Sequence, residues 1–456
     1  MEQITEKKAM IDQRKAFSAI DIGTTKIVAL TGYINEKNEF TVLGKGVAQS
    51  FGVSRGEVIN IESTVQSIKE AVKYAQEEAG FFCKKVVIGI AGKHIHSTQN
   101  RGFINREDKD KEIQQHEIDK LQQENRHVNL ESDEEIIHAI PQTFRIDNEY
   151  EVANAIGMTG RRIEANFHIV IGKGTAIKYI RTAINRAGLE IADLMLEPLA
   201  SAASTLTDEE RKVGVAIIDI GGGTTDIAIY HNNIVQFTEV IPFGGNAITS
   251  DISEGCQILD DLAEKLKVEY GSTIQDYAKD NEIVSIPGIN GRPPKEISLK
   301  KLAGIIQARM EEIIDSALFV IKTSGYANKL GAGIVVTGGG SLLKYLPQLL
   351  SFKIGIDSKI GTPINFVNYK NHNDFNNPIF ATSVGLLMRA AEIHAQQHIE
   401  EQIIIETKQE QKTEAKKEAI IEQPTQKTEV KKEKTGFFNK YVEKFFSNEA
   451  YSDTRL

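Results

Sequence analysis

Short apolar runs that end in glycine-rich turns recur along the chain and alternate with longer stretches of helical periodicity. The clearest apolar runs are residues 17–20, 86–90, 213–218 and 333–337. Strand-like runs that alternate with amphipathic helices are typical of sheets covered by helices. The pattern therefore predicts an α/β fold.

Two of these runs continue into similar segments that lie almost 200 residues apart. Residues 19–28 read AIDIGTTKIV, and residues 218–227 read IDIGGGTTDI. Each segment joins two apolar strands through a few turn residues, which predicts a tight hairpin. The repetition predicts a duplicated domain with a ligand site between its two halves.

The two hairpins carry residue types that bind phosphate. Glycines let the backbone approach a ligand, and successive N–H groups together with threonine hydroxyls can surround phosphate oxygens. A lysine after the first turn could offset phosphate charge. The predicted phosphate-binding residues are Gly23, Thr24, Thr25 and Lys26 in the first hairpin and Gly221, Gly222, Gly223, Thr224 and Thr225 in the second.

Asp21 and Asp219 precede the two turns. Their carboxylates would repel phosphate, but they could orient a Mg²⁺ ion through the water molecules that this ion retains. One such hairpin alone is more often a glycine turn with a capping aspartate. Two hairpins in matched context favour a nucleotide site, with ATP and Mg²⁺ as the predicted ligands.

A third glycine cluster follows the apolar run that ends at residue 337. Its pattern predicts a strand, a turn and the start of a helix, against which a base and ribose could lie. The predicted residues of this cluster are Gly338, Gly339, Gly340 and Ser341.

Three charged residues are further candidates, and each also has a purely structural interpretation. Glu264 and Lys267 share one face of a predicted helix and could bind ribose hydroxyls and the adenine edge, but a solvated ion pair explains them equally well. Glu197 precedes a helix of small residues and could act in catalysis by positioning an attacking water. A glutamate that only complements the helix dipole fits this position as well.

The composition excludes several classes of protein. The chain has 456 residues and a net charge of -9, whereas a nucleic-acid-binding surface needs clustered lysine and arginine. Cys83 and Cys256 are too few for a disulfide framework or a thiolate metal site and fit a reducing cytoplasm. The polar N-terminus lacks the apolar stretch of a secretory signal. No run of about 20 apolar residues occurs, so any membrane contact is predicted to be peripheral.

From about residue 17 to residue 390, the order of these segments resembles the actin, Hsp70 and sugar kinase superfamily. The segments that narrow the resemblance to the FtsA family of bacterial cell division proteins are residues 90–95, 138–147, 156–164 and 242–252. The resemblance implies an actin-like duplicated fold with an FtsA-type inserted subdomain that contributes to filament contacts. It also implies ATP binding more firmly than ATP hydrolysis.

The same resemblance implies a set of partners and a location. The second half would dock the C-terminal tail of the tubulin homologue FtsZ, and the protein would assemble with itself and recruit later division proteins. Its expected place is the cytoplasmic face of the inner membrane at the division site. Such a protein is mainly a structural adaptor.

The resemblance and the composition together predict the division of the chain. The expected boundaries are 1–15 for a disordered N-terminus, 16–81 and 168–206 for the first actin-like half, 82–167 for the inserted subdomain, 207–395 for the second half, 396–435 for a charged flexible linker and 436–450 for an amphipathic helix.

The last of these segments separates apolar and polar residues completely on a helical wheel. A short helix of this kind on a charged tether suits the headgroup region of an anionic membrane, and it resembles the targeting helix that ends FtsA proteins. The alternative is a helix that docks on the globular domain or on a partner. The predicted membrane-binding residues are Phe437, Phe438, Tyr441, Val442, Phe445 and Phe446 on the apolar face and Lys440 and Lys444 on the polar face.

Three other functions share parts of this pattern. A sugar kinase of the same fold would need an acceptor pocket with a catalytic base in the first half, and no motif for one is present. An Hsp70-type chaperone would need a substrate domain longer than the roughly sixty residues that follow Gln396. An adaptor similar to the pilus assembly protein PilM would share the inserted subdomain, but it is not expected to carry the tether and terminal helix.

Overall fold

The computed structural model of the protein describes residues 16–34, 40–125, 130–147, 150–279, 281–288, 293–364, 367–368 and 375–397. The expected N-terminal segment and terminal amphipathic helix lie outside these residues, as does the linker beyond residue 397. Within the described ranges, no helix is both long and apolar enough to cross a membrane.

Strands and helices alternate along the chain, as the apolar pattern predicts. The strands are β1 (Ala16–Ile22), β2 (Lys26–Ile34), β3 (Phe40–Gln49), β4 (Val53–Ser54), β5 (Glu57–Val58), β6 (Lys85–Ile90), β7 (His96–Asn105), β8 (Glu134–Ile146), β9 (Tyr150–Val152), β10 (Arg162–Lys173), β11 (Glu190–Leu196), β12 (Val215–Ile220), β13 (Thr225–His231), β14 (Ile234–Ile241), β15 (Ile283–Ile286), β16 (Lys295–Ser298), β17 (Ile334–Thr337), β18 (Ser358–Ile360) and β19 (Val367–Asn368). The helices are α1 (Ile61–Ala79), α2 (Gln115–Glu124), α3 (Gly174–Arg186), α4 (Glu197–Thr205), α5 (Asp208–Val213), α6 (Gly245–Cys256), α7 (Asp260–Tyr270), α8 (Leu299–Thr323), α9 (Leu346–Ile354) and α10 (residues 381–397).

The sheet of the first half has the strand order β11-β6-β1-β2-β3-β19. Its strand β1 is buried along its whole length because successive side chains point to opposite faces and both faces are covered. Ile20 and Ile22 belong to the core cluster that includes α1 and α3, whereas Phe17 and Ala19 belong to the cluster that includes α10. A strand buried on both faces explains the continuous apolar run in the sequence.

The sheet of the second half repeats the same topology, with the strand order β14-β13-β12-β17-β18. Strand β12 pairs antiparallel with β13, with Asp219 opposite Asp226, and parallel with β17, with Asp219 beside Thr337. Strand β1 has the equivalent two partners, antiparallel β2 and parallel β6. The repeated sequence segments therefore mark equivalent hairpins in two similar sheets.

A third sheet, with the order β7-β10-β8-β9, forms the inserted subdomain. Its bounds differ at both ends from the expected residues 82–167. Strand β6 joins the first-half sheet beside β1, so the inserted sheet begins only with β7 at His96. At the other end β10 continues to Lys173, directly before α3.

Residues 375–397 pack on the first half. The predicted boundaries instead assign the residues up to 395 to the second half. Phe380 and Leu387 share a core cluster with Phe17 and Leu30 of the first-half sheet. The chain therefore returns to the first half after completing the second. The apolar pattern of a segment does not state which sheet it covers.

The inserted subdomain contacts β14, the edge strand of the second-half sheet. The Gln142 amide donates to the Val235 carbonyl at 2.7 Å, and the Ser97 hydroxyl donates to the Thr238 carbonyl at 3.1 Å. The Nε2 atom of buried His168 lies 2.8 Å from the Thr238 hydroxyl. Side chains of the insert thus bind polar groups along an edge that has no neighbouring strand among the described residues.

Acidification is expected to weaken the fold through His168. Burial, and then the charge of His138, lower the pKa of His168 from 6.5 to about 4. The unfolded chain therefore takes up the proton first, so the stability contributed by neutral His168 is present above pH 6.5 and is lost as the pH falls toward about 4. The loss should reach roughly 3 kcal/mol at most.

Urea unfolding of the wild type and of His168→Gln, from neutral pH to about pH 4, measures this loss. The variant should lack this part of the pH dependence. Exposed His116 on α2 provides the control, since His116→Gln should follow the wild type. Parallel curves for the wild type and His168→Gln would contradict the prediction.

Candidate functional site

The two hairpin turns predicted from the repeat face one another. A side chain added at Gly222, in the turn after β12, would lie 2.5 Å from Thr25 Cγ2 in the turn after β1. A side chain added at Gly223 would overlap the Thr24 hydroxyl. Both approaches are closer than van der Waals contact, so a side chain at either position would force the facing threonine to move.

Backbone hydrogen bonds hold the second turn against the start of α6. The Gly245 N–H donates to the Gly221 carbonyl at 2.9 Å. The next N–H, of Asn246, donates to the Gly222 carbonyl at 2.8 Å. The second turn is therefore pre-formed and does not need a ligand to define its shape.

The predicted threonines of the second turn have internal hydrogen-bond acceptors. Thr225 is buried, and its hydroxyl donates to the Phe243 carbonyl at 2.9 Å. The Thr224 hydroxyl donates to Asp226 Oδ2 at 2.9 Å. In the first turn, by contrast, Thr25 is exposed. Phosphate contacts from the second turn would therefore come mainly from its backbone N–H groups.

Asp21 and Asp219 lie together at the base of the two turns, and each is only 6% exposed. Asp219 Oδ2 accepts hydrogen bonds from the Ser201 hydroxyl at 2.5 Å and the Thr382 hydroxyl at 3.0 Å. Burial raises the pKa of Asp21 to about 6, with the Lys26 charge opposing and the Asp219 charge adding to the shift. Burial also raises the pKa of Asp219, against its two hydroxyl donors and Lys26.

Glu197, at the start of α4, faces the same cluster. Burial raises the pKa of its carboxyl well above the usual range, and the charges of Asp21, Asp226 and Asp219 raise it further. Its side chain also lies beside Gly89 of β6, where an added Cβ would be 3.1 Å from Glu197 Cγ. Glu197 therefore lies in the same buried cluster of carboxyls as Asp21, Asp219 and Asp226.

Asp226 is the residue of this cluster that the sequence analysis missed. It is 2% exposed, its Oδ1 atom has no hydrogen-bond partner among the described residues, and burial raises its pKa well above the usual range. A signal was present in the repeat. The residue that follows Thr-Thr is Lys26 in the first copy and Asp226 in the second.

Lys26 supplies positive charge next to these carboxyls. Its ammonium donates to the Ile379 carbonyl at 2.6 Å. Burial lowers the pKa of Lys26, while the charges of Asp21 and Asp219 oppose that shift. The Lys26 charge acts on Asp21 and Asp219, so among the described residues the cluster holds more carboxyls than cations.

A hydrated Mg²⁺ ion suits this arrangement. The described residues contain no group of three His, Cys, Asp or Glu side chains placed to hold a metal ion directly. Mg²⁺ commonly keeps several of its waters and needs few direct protein ligands, and its charge would favour the ionised form of carboxyls whose pKa values are raised chiefly by burial. Asp21 and Asp219 would hold such an ion through its waters.

Glu264 and Lys267 form the ion pair that their spacing predicts, with Lys267 Nζ 2.7 Å from Glu264 Oε2. The lysine of this pair is largely buried, since only 11% of its side chain is exposed. The same ammonium donates to the Gly245 carbonyl at 2.9 Å and to the Thr249 hydroxyl at 2.8 Å. The pair thus supports the first turn of α6, next to the second hairpin.

The third glycine cluster lies against the end of β12. Gly338 has a φ of +83°, and a side chain there would overlap the Asp219 carboxyl. A side chain at Gly340 would overlap Ile220. The cluster therefore lies beside the Asp219 carboxyl.

The helix start predicted for this cluster is a short 3₁₀ helix rather than a turn of α-helix. Gly339–Leu342 forms a short 3₁₀ turn, and α9 begins only at Leu346. The Ser341 hydroxyl is buried and donates to the Gly338 carbonyl at 2.7 Å. Ser341 closes this turn, so its hydroxyl has an internal acceptor.

Two halves with the same hairpin topology, whose glycine turns meet above buried carboxyls, define a protein of the actin-like fold. Solved structures share this fold. The PilM-PilN type IV pilus biogenesis complex is similar with a TM-score of 0.60 and 16% identity, over 82% of this chain and 98% of that one. MreB5 of Spiroplasma citri bound to AMPPNP is similar with a TM-score of 0.50 and 16% identity, over 85% and 98%.

Sequence comparisons place the chain in one family of this class. A family model described as cell division protein FtsA matches residues 216–385, and a model of the SHS2 domain inserted in FtsA matches residues 92–171. The cell division protein FtsA of Neisseria meningitidis serogroup B is 37% identical over 385 residues, which are 84% of this chain and 92% of the relative. The chain belongs to the FtsA family of cell division proteins. The resemblance found in the sequence and the actin-like fold with an inserted subdomain are confirmed.

Proposed function

We propose that the cleft between the two halves binds ATP with Mg²⁺. The observation that carries the proposal is the contact between the two glycine turns directly above the carboxyl cluster. Backbone N–H groups of both turns would bind phosphate oxygens, and Asp21 and Asp219 would hold the hydrated ion. The base and ribose would lie between the third glycine cluster and the Glu264–Lys267 pair. MreB5, a neighbour of the same fold, is bound to AMPPNP.

ATP acts in this proposal as a conformational ligand. A nucleotide that contacts both turns favours a closed arrangement of the halves, and it shifts the population toward that arrangement by its differential affinity. Self-assembly through surfaces of both halves and of the inserted subdomain would then depend on the nucleotide. Hydrolysis would be slow, with Glu197 positioning the water.

The same protein would anchor FtsZ filaments to the cytoplasmic face of the inner membrane at the division site and recruit later division proteins. Membership of the FtsA family supports this role. The apolar face of residues 437–446 contains four phenylalanines, each worth about 1.5 to 3 kcal/mol if fully buried. Partial insertion and the ordering of the segment reduce that gain. A filament that presents many such segments gains avidity, so assembly and membrane residence would reinforce one another.

Co-sedimentation with anionic liposomes and FtsZ tests the anchoring role. The intact chain with Mg-ATP should carry FtsZ into the liposome pellet, and a chain truncated after Lys434 should lose recruitment about tenfold or more. A matched control keeps the composition of residues 435–447 but scrambles their order, which destroys the apolar face. The scrambled chain should behave as the truncated one. Unchanged recruitment after truncation would contradict the anchoring proposal.

A further inference from the structure

A small hairpin of the first half, β4–β5, stands next to both turns of the cleft. Its two central residues, Arg55 and Gly56, have φ values of +49° and +77°, the signature of a two-residue turn with both residues in the left-handed region. Val53 and Val58, which flank the turn, are buried. At the base, the N–H groups of the two residues after β5 donate to the Gly52 carbonyl at 2.8 and 3.0 Å. The hairpin is therefore firmly held.

The tip of this hairpin touches both turns. The Gly56 N–H donates to the Thr24 hydroxyl at 3.2 Å in the first turn. A Cβ added at Gly223, in the second turn, would lie 3.0 Å from Arg55 Cα. On its other side, a Cβ added at Gly56 would lie 2.9 Å from the backbone of Ala91. The backbone of Arg55 is thus fixed where the two halves meet.

The Arg55 side chain is exposed. In the part of the chain that the structure describes, no hydrogen bond, ion pair or ring contact of its guanidinium group is found. The left-handed backbone conformation favours glycine or asparagine over arginine. Neither packing nor turn geometry therefore explains an arginine at this position. Both nevertheless fix the position of the Arg55 backbone.

We propose that Arg55 binds the terminal phosphate of the nucleotide and so makes the site discriminate between a nucleoside triphosphate and a diphosphate. This inference rests on the nucleotide site proposed above. A guanidinium carries a permanent charge and presents several donors in a plane, which suits two-point binding of a phosphate group.

The position of the base indicates which phosphate Arg55 reaches. Gly338 and Gly340 lie against β12, and Lys267 binds the start of α6, so the elements assigned to base and ribose all belong to the second half. Arg55 belongs to the first half and lies beside the contact between Thr24 and Gly223. A nucleotide that starts on the second half therefore reaches Arg55 with the far end of its phosphate chain.

Such a contact would link the chemical state of the nucleotide to the closure of the cleft. A triphosphate would connect the rigid β4–β5 hairpin of the first half with the second half. A diphosphate would leave Arg55 without its ligand. Arg55 would then be the residue through which the loss of one phosphate changes the relative stability of the closed state.

Substitution of Arg55 by asparagine tests the inference. Asparagine followed by glycine is a preferred pair for this turn, so Arg55→Asn should fold with the wild-type thermal midpoint or a higher one. Calorimetric titration of the full chain with AMPPNP and with ADP, each with Mg²⁺, gives the two affinities. The affinity for AMPPNP should fall about tenfold or more, and the affinity for ADP should change less than about twofold. Arg55→Lys should recover only part of the AMPPNP affinity, because it keeps the charge without the planar donors.

Arg186, exposed in the last turn of α3, provides the matched control, since Arg186→Ala should leave both affinities unchanged. If the wild type binds AMPPNP and Arg55→Asn binds both nucleotides with wild-type affinity, the role of Arg55 is refuted. The proposed nucleotide site would still stand. An equal loss of affinity for both ligands would also refute it, because Arg55 would then not sense the terminal phosphate. If the wild type binds neither nucleotide, the proposed site and the inference fail together.

Discussion

Replacement of Gly223 by alanine is expected to weaken the binding of Mg-ATP about 100-fold, equivalent to about 2.7 kcal/mol. The added methyl group would overlap the Thr24 hydroxyl and lie 3.0 Å from Arg55 Cα, so the two turns would have to move apart. Phosphate contacts from both halves could then not form at once. Calorimetric titration with AMPPNP and Mg²⁺ measures the change, and circular dichroism confirms that the variant is folded.

Gly255→Ala is the matched control for this substitution. Gly255 lies in α6, and its added methyl group would meet only the flexible end of the Ile305 side chain, at 2.8 Å. Its affinity for AMPPNP should stay within about twofold of the wild type. Wild-type affinity in Gly223→Ala would mean that the phosphates do not lie between the two turns.

Replacement of Gly385 by alanine is expected to lower the free energy of unfolding by about 3 kcal/mol or more. Gly385 lies in α10, and its added Cβ would overlap the carbonyl of Ala200 in α4. The two helices share the support of the site, because Thr382 of α10 donates to Asp219 and Ser204 of α4 donates to the Ala381 carbonyl at 2.7 Å. Their separation would weaken packing and these hydrogen bonds together.

Urea unfolding followed by circular dichroism measures this second effect. Gly255→Ala again serves as the control, and it should be neutral or more stable, because alanine favours a helix over glycine by up to about 1 kcal/mol. An unfolding midpoint for Gly385→Ala equal to that of the wild type would show that α10 can move away from α4 without loss of stability. In that case the close approach of these helices would not stabilise the fold.

The elements of the fold followed from apolar periodicity, but their bounds did not follow completely. The run predicted at residues 213–218 is shifted to β12 (Val215–Ile220), because α5 extends to Val213 before the strand begins. The glycine cluster after β17 was assigned to a helix start and forms a 3₁₀ turn. Periodicity reports that an element exists, whereas its ends depend on local hydrogen bonds.

The candidate site was predictable where one short segment carries the signal. Asp21 and Asp219 were found because each precedes a glycine turn in a repeated motif. Asp226 was missed although Asp219 and Thr224 lie in the same hairpin, because the spacing of residues does not reveal its burial or its unsatisfied oxygen. Arg55 was missed because its neighbours Thr24 and Gly223 are far away in the sequence.

The sequence by itself determined the alternation of strands and helices, the duplication and the two glycine hairpins, because these depend on the spacing of residues within short segments. Tertiary structure alone decided that α10 returns to the first half, that the insert packs on β14 and that the two turns meet above four carboxyls. These features arise from contacts between residues far apart in the chain, where burial and the proximity of charges set the energies.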